Sequence, residues 1–349
     1  ERGGVGLCVM ALTASCESVR AVGYDCLGRI MGAMDGGQSF AERRQVARLL
    51  LSLRDAVTTA SMRIPAATAS FVTHGLRVLL RPLHPQYKPL NSYVVSRPYF
   101  SLDEVPMFFD AFHGGGSRAR EERIWLLQLL ARSTRTQADL KLLKRPHALQ
   151  LVMSLHDSLL SDAPTRRACL SVLLSAARIH EGARSLLIEY GVAGWIAAAG
   201  SRLHSSAVAA AEGGGSVTSA SASCALLASL MLTLLTSAYD GGCELSEPLA
   251  VLCVCGVDAI WRASQRLQQG STSAARSASG EDVVKASCGR ALLVLQHMPD
   301  VKVTVDQSLE EGLLSSASSA VRSKETLRPP LTTSEEEAGE APMQYEWMR

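Results

Sequence analysis

The chain has 349 residues, with 35 lysines and arginines against 33 aspartates and glutamates and a formal net charge of +2. That balance excludes a partner chosen by whole-chain charge. Arginine supplies 29 of the 35 basic residues and Asn91 is the only asparagine, a bias that reads as GC-rich coding before it reads as nucleic-acid binding. The nine cysteines are an odd number, and Cys169, Cys224, Cys253, Cys255 and Cys288 sit in apolar helical runs. They predict reduced thiols in a cytosolic or nuclear compartment rather than a disulfide framework. A start at Glu1 fits a piece of a longer protein.

Residues 1–80 read as N-terminal helical repeats. A helix pair of small residues runs from Glu1 to Met34 and closes at Gly36-Gly37; an amphipathic helix follows from Phe40 to Thr59, and another from Ala66 to Leu80. Residues 81–112 form a proline-rich crossover, because Pro82, Pro85, Pro89, Pro98 and Pro106 forbid a long helix. A short helix over Val105–Phe112 precedes the Gly114–Gly116 linker. Residues 113–200 hold two armadillo-like repeats, and 201–222 is a Ser/Ala/Gly-rich stretch expected to be a disordered insertion. C-terminal helical repeats occupy 223–300 with a loop at 268–280, and 301–349 reads as a mostly flexible acidic tail. The apolar run from Ala222 to Ala238 is interrupted by serine and threonine, so it predicts a buried helix and no membrane partner.

The repeats fix the fold class. A shift of 44 residues lays Arg123–Leu155 on Arg167–Ala199 without a gap. Leu126 falls on Leu170, Leu129 and Leu130 on Leu173 and Leu174, Leu142 and Leu143 on Leu186 and Leu187, and Val152 on Ile196. Apolar residues recur within each copy at helical spacing. Pro146 stands where a third helix would start, and Gly191 ends the second helix of the later copy. A period of this length built of short helices predicts an all-α, armadillo/HEAT-like α-solenoid with low-complexity insertions, since one hairpin cannot bury its apolar face alone. A looser third copy runs through Ser223–Gly242 and Glu247–Leu267, with Gly256-Val257 in the place of Gly191-Val192.

Catalytic chemistry has no foothold here. The pair Cys253-Val254-Cys255 lacks the second pair or the histidines that a zinc site needs, and two cysteines two apart on a helix point about 200° apart. Gly3–Gly6 lacks the lysine and hydroxyl of a phosphate loop, and no G-x-S-x-G elbow is present. His156 at a helix end reads as a favourable C-terminal charge rather than a catalyst. No enzyme, no metal and no cofactor are expected. Between His113 and Gln150, eight basic residues face three acids. Arg118 and Arg120 lead the first repeat helix, and Lys141, Lys144 and Arg145 end the second. These five are candidate contacts for RNA phosphates or a partner, set along one edge of the solenoid, or else a solvated face. Trp125 is the only aromatic among them, so base reading is not expected.

Several segments carry a family resemblance. They are His84-Pro85, Tyr93 to Pro98, Leu102-Asp103-Glu104-Val105-Pro106, Phe108-Phe109, Arg123 to Leu127, Leu140 to Arg145 and Leu155-His156-Asp157. With these residues the chain resembles the C-terminal region of the nucleolar pre-ribosomal-associated proteins, the large Urb-type ribosome-assembly scaffolds. The resemblance is specific over Leu83–Ala177 and extends by pattern from Arg20 to Ala199. It implies a nucleolar, non-catalytic helical scaffold in early assembly of the large (60S) ribosomal subunit. Pre-60S assembly proteins would be its partners, among them a partner scaffold and a DEAD-box helicase, with possible backbone contact to precursor ribosomal RNA. Repeat and charge alone imply only a solenoid that binds something, and a cytoplasmic armadillo-type adaptor is the alternative.

Overall fold

The computed structural model describes residues 3–36, 40–116, 118–159, 161–213, 217–269 and 278–298, with Leu309 and Leu313. Among the described residues every regular element is a helix. These residues divide into two compact units, one up to Ala148 and one from Leu149. The first holds α1 (Gly4–Ala11), α2 (Glu17–Gly36), α3 (Arg43–Arg54), α4 (Ala66–Leu79), α5 (Tyr87–Val95), α6 (Phe108–His113), α7 (Ala119–Ser133) and α8 (Gln137–Lys144). Next comes α9 (Ala148–Asp157), at whose first residue the division falls. The second unit continues with α10 (Ala163–Ala177), α11 (His180–Ile188), α12 (Val192–Gly213), α13 (Val217–Asp240), α14 (Glu247–Gln269) and α15 (Ala278–His297).

Helix α4 is the centre of the first unit, touching α1, α3, α5 and α7. Its composition suits that place, because Phe71, Val72, Val78 and Leu79 are all buried and Gly75 lets Leu49 of α3 approach. On α3 the buried Val46, Leu49, Leu50 and Leu53 follow i, i+3, i+4, i+7 and make one apolar stripe. The crossover holds no long helix but two short ones, α6 near the expected Val105–Phe112 and α5, which the sequence reading did not place. Pro89 occupies the third position of α5, where its missing N–H is not needed, and Pro106 stands just ahead of α6. Tyr93 and Phe100 meet Phe71 edge-on at 5.6 and 5.7 Å, which anchors the crossover on α4.

In the second unit α13 packs on both α10 and α15, while α12 packs on α14. This is the neighbour-on-neighbour stacking of a helical repeat. Close approach of α12 and α14 depends on glycine, since a Cβ on Gly200 would lie 3.0 Å from the Ala259 Cβ; one on Gly256 would lie 2.5 Å from the Cε of Met231 on α13 and 3.5 Å from Ala193 O on α12. By length and composition α13 could cross a bilayer. Here its Leu227, Leu230, Met231, Leu234 and Leu235 are buried among neighbouring helices. Several of its hydroxyls bond within the helix, Ser229 donating to Ala225 O, Thr233 to Ser229 O and Thr236 to Leu232 O.

The 44-residue register reappears in the helix boundaries. Adding 44 to α7 gives 163–177, the bounds of α10, and adding 44 to α9 gives a start at 192, where α12 begins. The residue before that third helix is left-handed in both copies, His147 at φ 52° and Gly191 at φ 61°. Three expectations change. Leu130 is fully buried, but Leu174 is half-exposed and Leu173 takes the core position of its turn. Gly256 lies inside the continuous α14, so it does not correspond to Gly191; the left-handed glycine of that region is Gly242. The stretch 201–222 falls largely within α12 and α13, because its alanines favour helix even without large apolar side chains. At 268–280, α14 extends to Gln269 and α15 starts at Ala278, and residues 270–277 lie outside the described residues. The acidic tail lies outside them as well, except for the buried Leu309 and Leu313.

Candidate functional site

Helix α7 returns along α4: the Trp125 ring lies tilted against His74 at 4.8 Å and against Phe71 at 6.3 Å, so the two helices meet at their middles. That register decides where the basic residues go. Arg118, the N-cap of α7, accepts from Glu122 N, and Glu122 lines a small cavity with Gln86, just beyond the C-terminal end of α4. Lys141 and Arg145 lie at the other end, lining a cavity of about 280 Å³ with Met62, Ile64, Pro65 and Leu102 ahead of α4. The 14 residues of α4 span about 21 Å at 1.5 Å each. The single basic edge expected from the sequence is therefore two groups at opposite ends of one helix. Arg118, Arg120, Lys141 and Arg145 are exposed and Lys144 is half-buried. Arg145 is engaged, its Nη1 lying 2.7 Å from Asp103 Oδ1.

Asp139 organises the α8 end. Its Oδ2 accepts from Thr136 N at 3.0 Å and Thr136 Oγ1 at 2.8 Å, while Thr136 Oγ1 accepts from Asp139 N, which makes a capping box at the start of α8. Its Oδ1 accepts from Ala66 N at 3.3 Å, the first amide of α4. One buried carboxylate thus caps two helices, so this acid is structural.

The crossover sorts its aromatics by task. Tyr93, Phe100 and Phe108 are buried, and Tyr99 and Phe109 are more than half exposed. Arg97 lies 4.5 Å over the Tyr93 ring. Burial raises the Tyr93 phenol above its usual value, while a hydrogen bond from the Met107 backbone acts in the opposite direction. Leu80, Leu83 and Val95 are exposed too, which makes this the apolar outer part of the first unit.

In the second unit Asp157 accepts from Trp195 Nε1 at 2.9 Å and Arg202 Nη2 at 2.6 Å, and pairs with His156 Nδ1 at 2.9 Å. His156 is buried against the Trp195 ring, and that burial lowers its pKa despite the adjacent carboxylate. It is not the exposed helix-terminal cation expected from the sequence but a buried packing partner that ties α9 to α12. Cys169, Cys224, Cys253 and Cys288 are buried, and burial pushes their thiols up to about 12. Cys255 is exposed, so the C-x-C pair points two ways. Among the described residues no three His, Cys, Asp or Glu side chains are grouped to hold a metal.

A feature that composition analysis passed over is an acid-free stretch. From Ala56 to Leu102 there are 47 residues with no Asp or Glu and five cations, Arg63, Arg77, Arg81, Lys88 and Arg97. The helical pattern drew attention to the repeats that follow it, whereas a running charge count would have found it.

Short helices that pack neighbour on neighbour through shared apolar seams define a helical-repeat protein of the scaffold class. The family model described as nucleolar pre-ribosomal-associated protein 1 matches residues 5–195, and the chain belongs to that family. It is 25% identical over 196 residues to "Nucleolar pre-ribosomal-associated protein 1" of Homo sapiens and 24% identical over 196 residues to the protein of that name in Mus musculus. The match covers 56% of this chain and 9% of each relative, so the chain spans a small part of their length. No solved structure matches it.

Proposed function

We propose that this chain is a segment of a non-catalytic scaffold in nucleolar assembly of the large (60S) ribosomal subunit, acting in early precursor-rRNA processing and pre-ribosomal particle formation. The observation that carries the reading is the family match over residues 5–195, which includes the first unit and the 44-residue register. The fold supports it: rigid stacked helices present extended surfaces, and no described cluster offers metal chemistry. The partners in this reading are pre-60S assembly proteins, including a partner scaffold and a DEAD-box helicase, with precursor RNA touched through its backbone. The exposed Tyr99 and Phe109 suit a protein partner, being amphipathic or apolar side chains presented on an anchored segment.

The test is affinity purification of the tagged full-length protein at low salt, followed by RNA sequencing and mass spectrometry, with imaging of the same tag. Enrichment of large-subunit precursors and a nucleolar signal are expected. A cytoplasmic signal with trafficking or signalling partners instead would replace this reading with that of a generic adaptor.

A further inference from the structure

Where the chain leaves α4 it winds through three successive turns. Arg81 N donates to Val78 O at 2.9 Å, His84 N to Arg81 O at 2.8 Å, and Tyr87 N to His84 O at 2.9 Å. These linked turns hold Arg81 and His84 close beyond the C-terminal end of α4. Arg77 stands in the last turn of α4, just before these turns begin. Arg118 arrives from the other side at the N-cap of α7. The packing of Trp125 on His74 fixes it there, and Gln86 donates from its backbone to His84 Nδ1 at 3.2 Å and pairs with His74 Nε2 at 2.7 Å. Three elements thereby converge on one set of cations.

Arg77, Arg81 and Arg118 are exposed and His84 is half-buried. The imidazole registers the company it keeps: burial, then Arg81, Arg118 and Arg77, lower its affinity for a proton. The acid-free stretch brings no carboxylate of its own. The first turn of α7 carries Glu121 and Glu122, and Glu122 lines a small cavity with Gln86 and Trp125. The α4 dipole accounts for one cation at its C-terminus but not for cations from two further elements. Like charges gathered this way store repulsion that a polyanion relieves.

We propose that Arg77, Arg81, His84 and Arg118 form a binding site for the phosphodiester backbone of RNA, read by charge and not by base sequence. The choice of RNA as the polyanion rests on the scaffold reading above, while the convergence of the cations stands without it. The Lys141 and Arg145 group, at the other end of α4 and partly neutralised by Asp103, lies outside this site.

The probe is a labelled 20-nucleotide oligouridylate, titrated with the purified chain by fluorescence anisotropy across a salt series. R77E/R81E/R118E is expected to weaken binding about 10-fold or more, and to lower the log–log salt slope by about 2, since three contacts at roughly 0.7 each are lost. K141E/R145E should bind within about twofold of wild type. The neutral R77Q/R81Q/R118Q provides the same comparison if charge reversal disturbs folding, which circular dichroism reports. Wild-type binding by either triple variant overturns the site, and so does loss confined to K141E/R145E. Displacement of RNA by poly-glutamate charge for charge overturns RNA as the ligand. A chain that binds no oligouridylate, in a protein that still purifies with precursor particles, overturns the site and leaves the scaffold. RNA binding lost in the triple variants, in a protein absent from those particles, does the reverse.

Discussion

Asp139→Ala tests whether one carboxylate joins two helices. The side chain accepts from Thr136 N and Oγ1 at the start of α8 and from Ala66 N at the start of α4. It is 7% exposed, so water replaces these bonds poorly in the folded state. A lost N-terminal cap costs about 0.5–2 kcal/mol, and two together about 2–3 kcal/mol. Thr136→Ala removes only the α8 half and should cost about 1 kcal/mol. Urea denaturation gives the totals, and hydrogen exchange with mass spectrometry separates the helices. Amides near Ala66–Ala69 should exchange roughly 2- to 30-fold faster in Asp139→Ala, the factor that corresponds to the about 0.5–2 kcal/mol of the one cap lost at α4. In Thr136→Ala those amides should be unchanged. If Asp139→Ala accelerates exchange in α8 alone, the bond to Ala66 contributes nothing and the double cap is wrong.

Other outcomes follow from the packing. Leu130→Ala and Leu173→Ala should each cost about 2–5 kcal/mol in denaturant titrations, and the half-exposed Leu174→Ala about 1 kcal/mol or less; equal costs at Leu173 and Leu174 would refute the packing of α10. Gly200→Ala should destabilise by about 1–3 kcal/mol, because its new Cβ meets Ala259 backbone, and Gly256→Ala by less, because the Met231 methyl can swing away; thermal melts that rank them the other way would contradict the α12–α14 contact. Gly191→Ala should cost about 1–2 kcal/mol for its left-handed backbone, read in the same melts. His156 binds its proton less readily when folded than its ordinary value of 6.5, so the unfolded chain takes up more protons below that pH. Its contribution to stability is complete above pH 6.5 and is lost as pH falls toward the folded-state value, a slope that His156→Gln should flatten in stability measurements from pH 7.5 to 5.

Much of the fold was legible because helical repeats are local. Val46, Leu49, Leu50 and Leu53 announce their stripe by spacing alone, and the 44-residue register carries over to the bounds of α7 and α10. Low complexity misled at 201–222, where alanine-rich sequence without large apolar residues reads as unstructured and yet continues two helices. Spacing could not separate Leu173 from Leu174, since neighbours on a helix differ by 100° and the packed side depends on what lies beyond.

The site divides along the same line. By itself the sequence determined an all-α repeat chain with a basic stretch and no catalytic pattern, because periodicity and residue type are local properties. Only tertiary structure decided that α7 returns along α4, bringing Arg118 to the end of α4 where Arg77, Arg81 and His84 lie and leaving Lys141 and Arg145 at the other end. The field at a surface is summed over side chains close in space, and a charge count along the chain cannot see which helices bring them together.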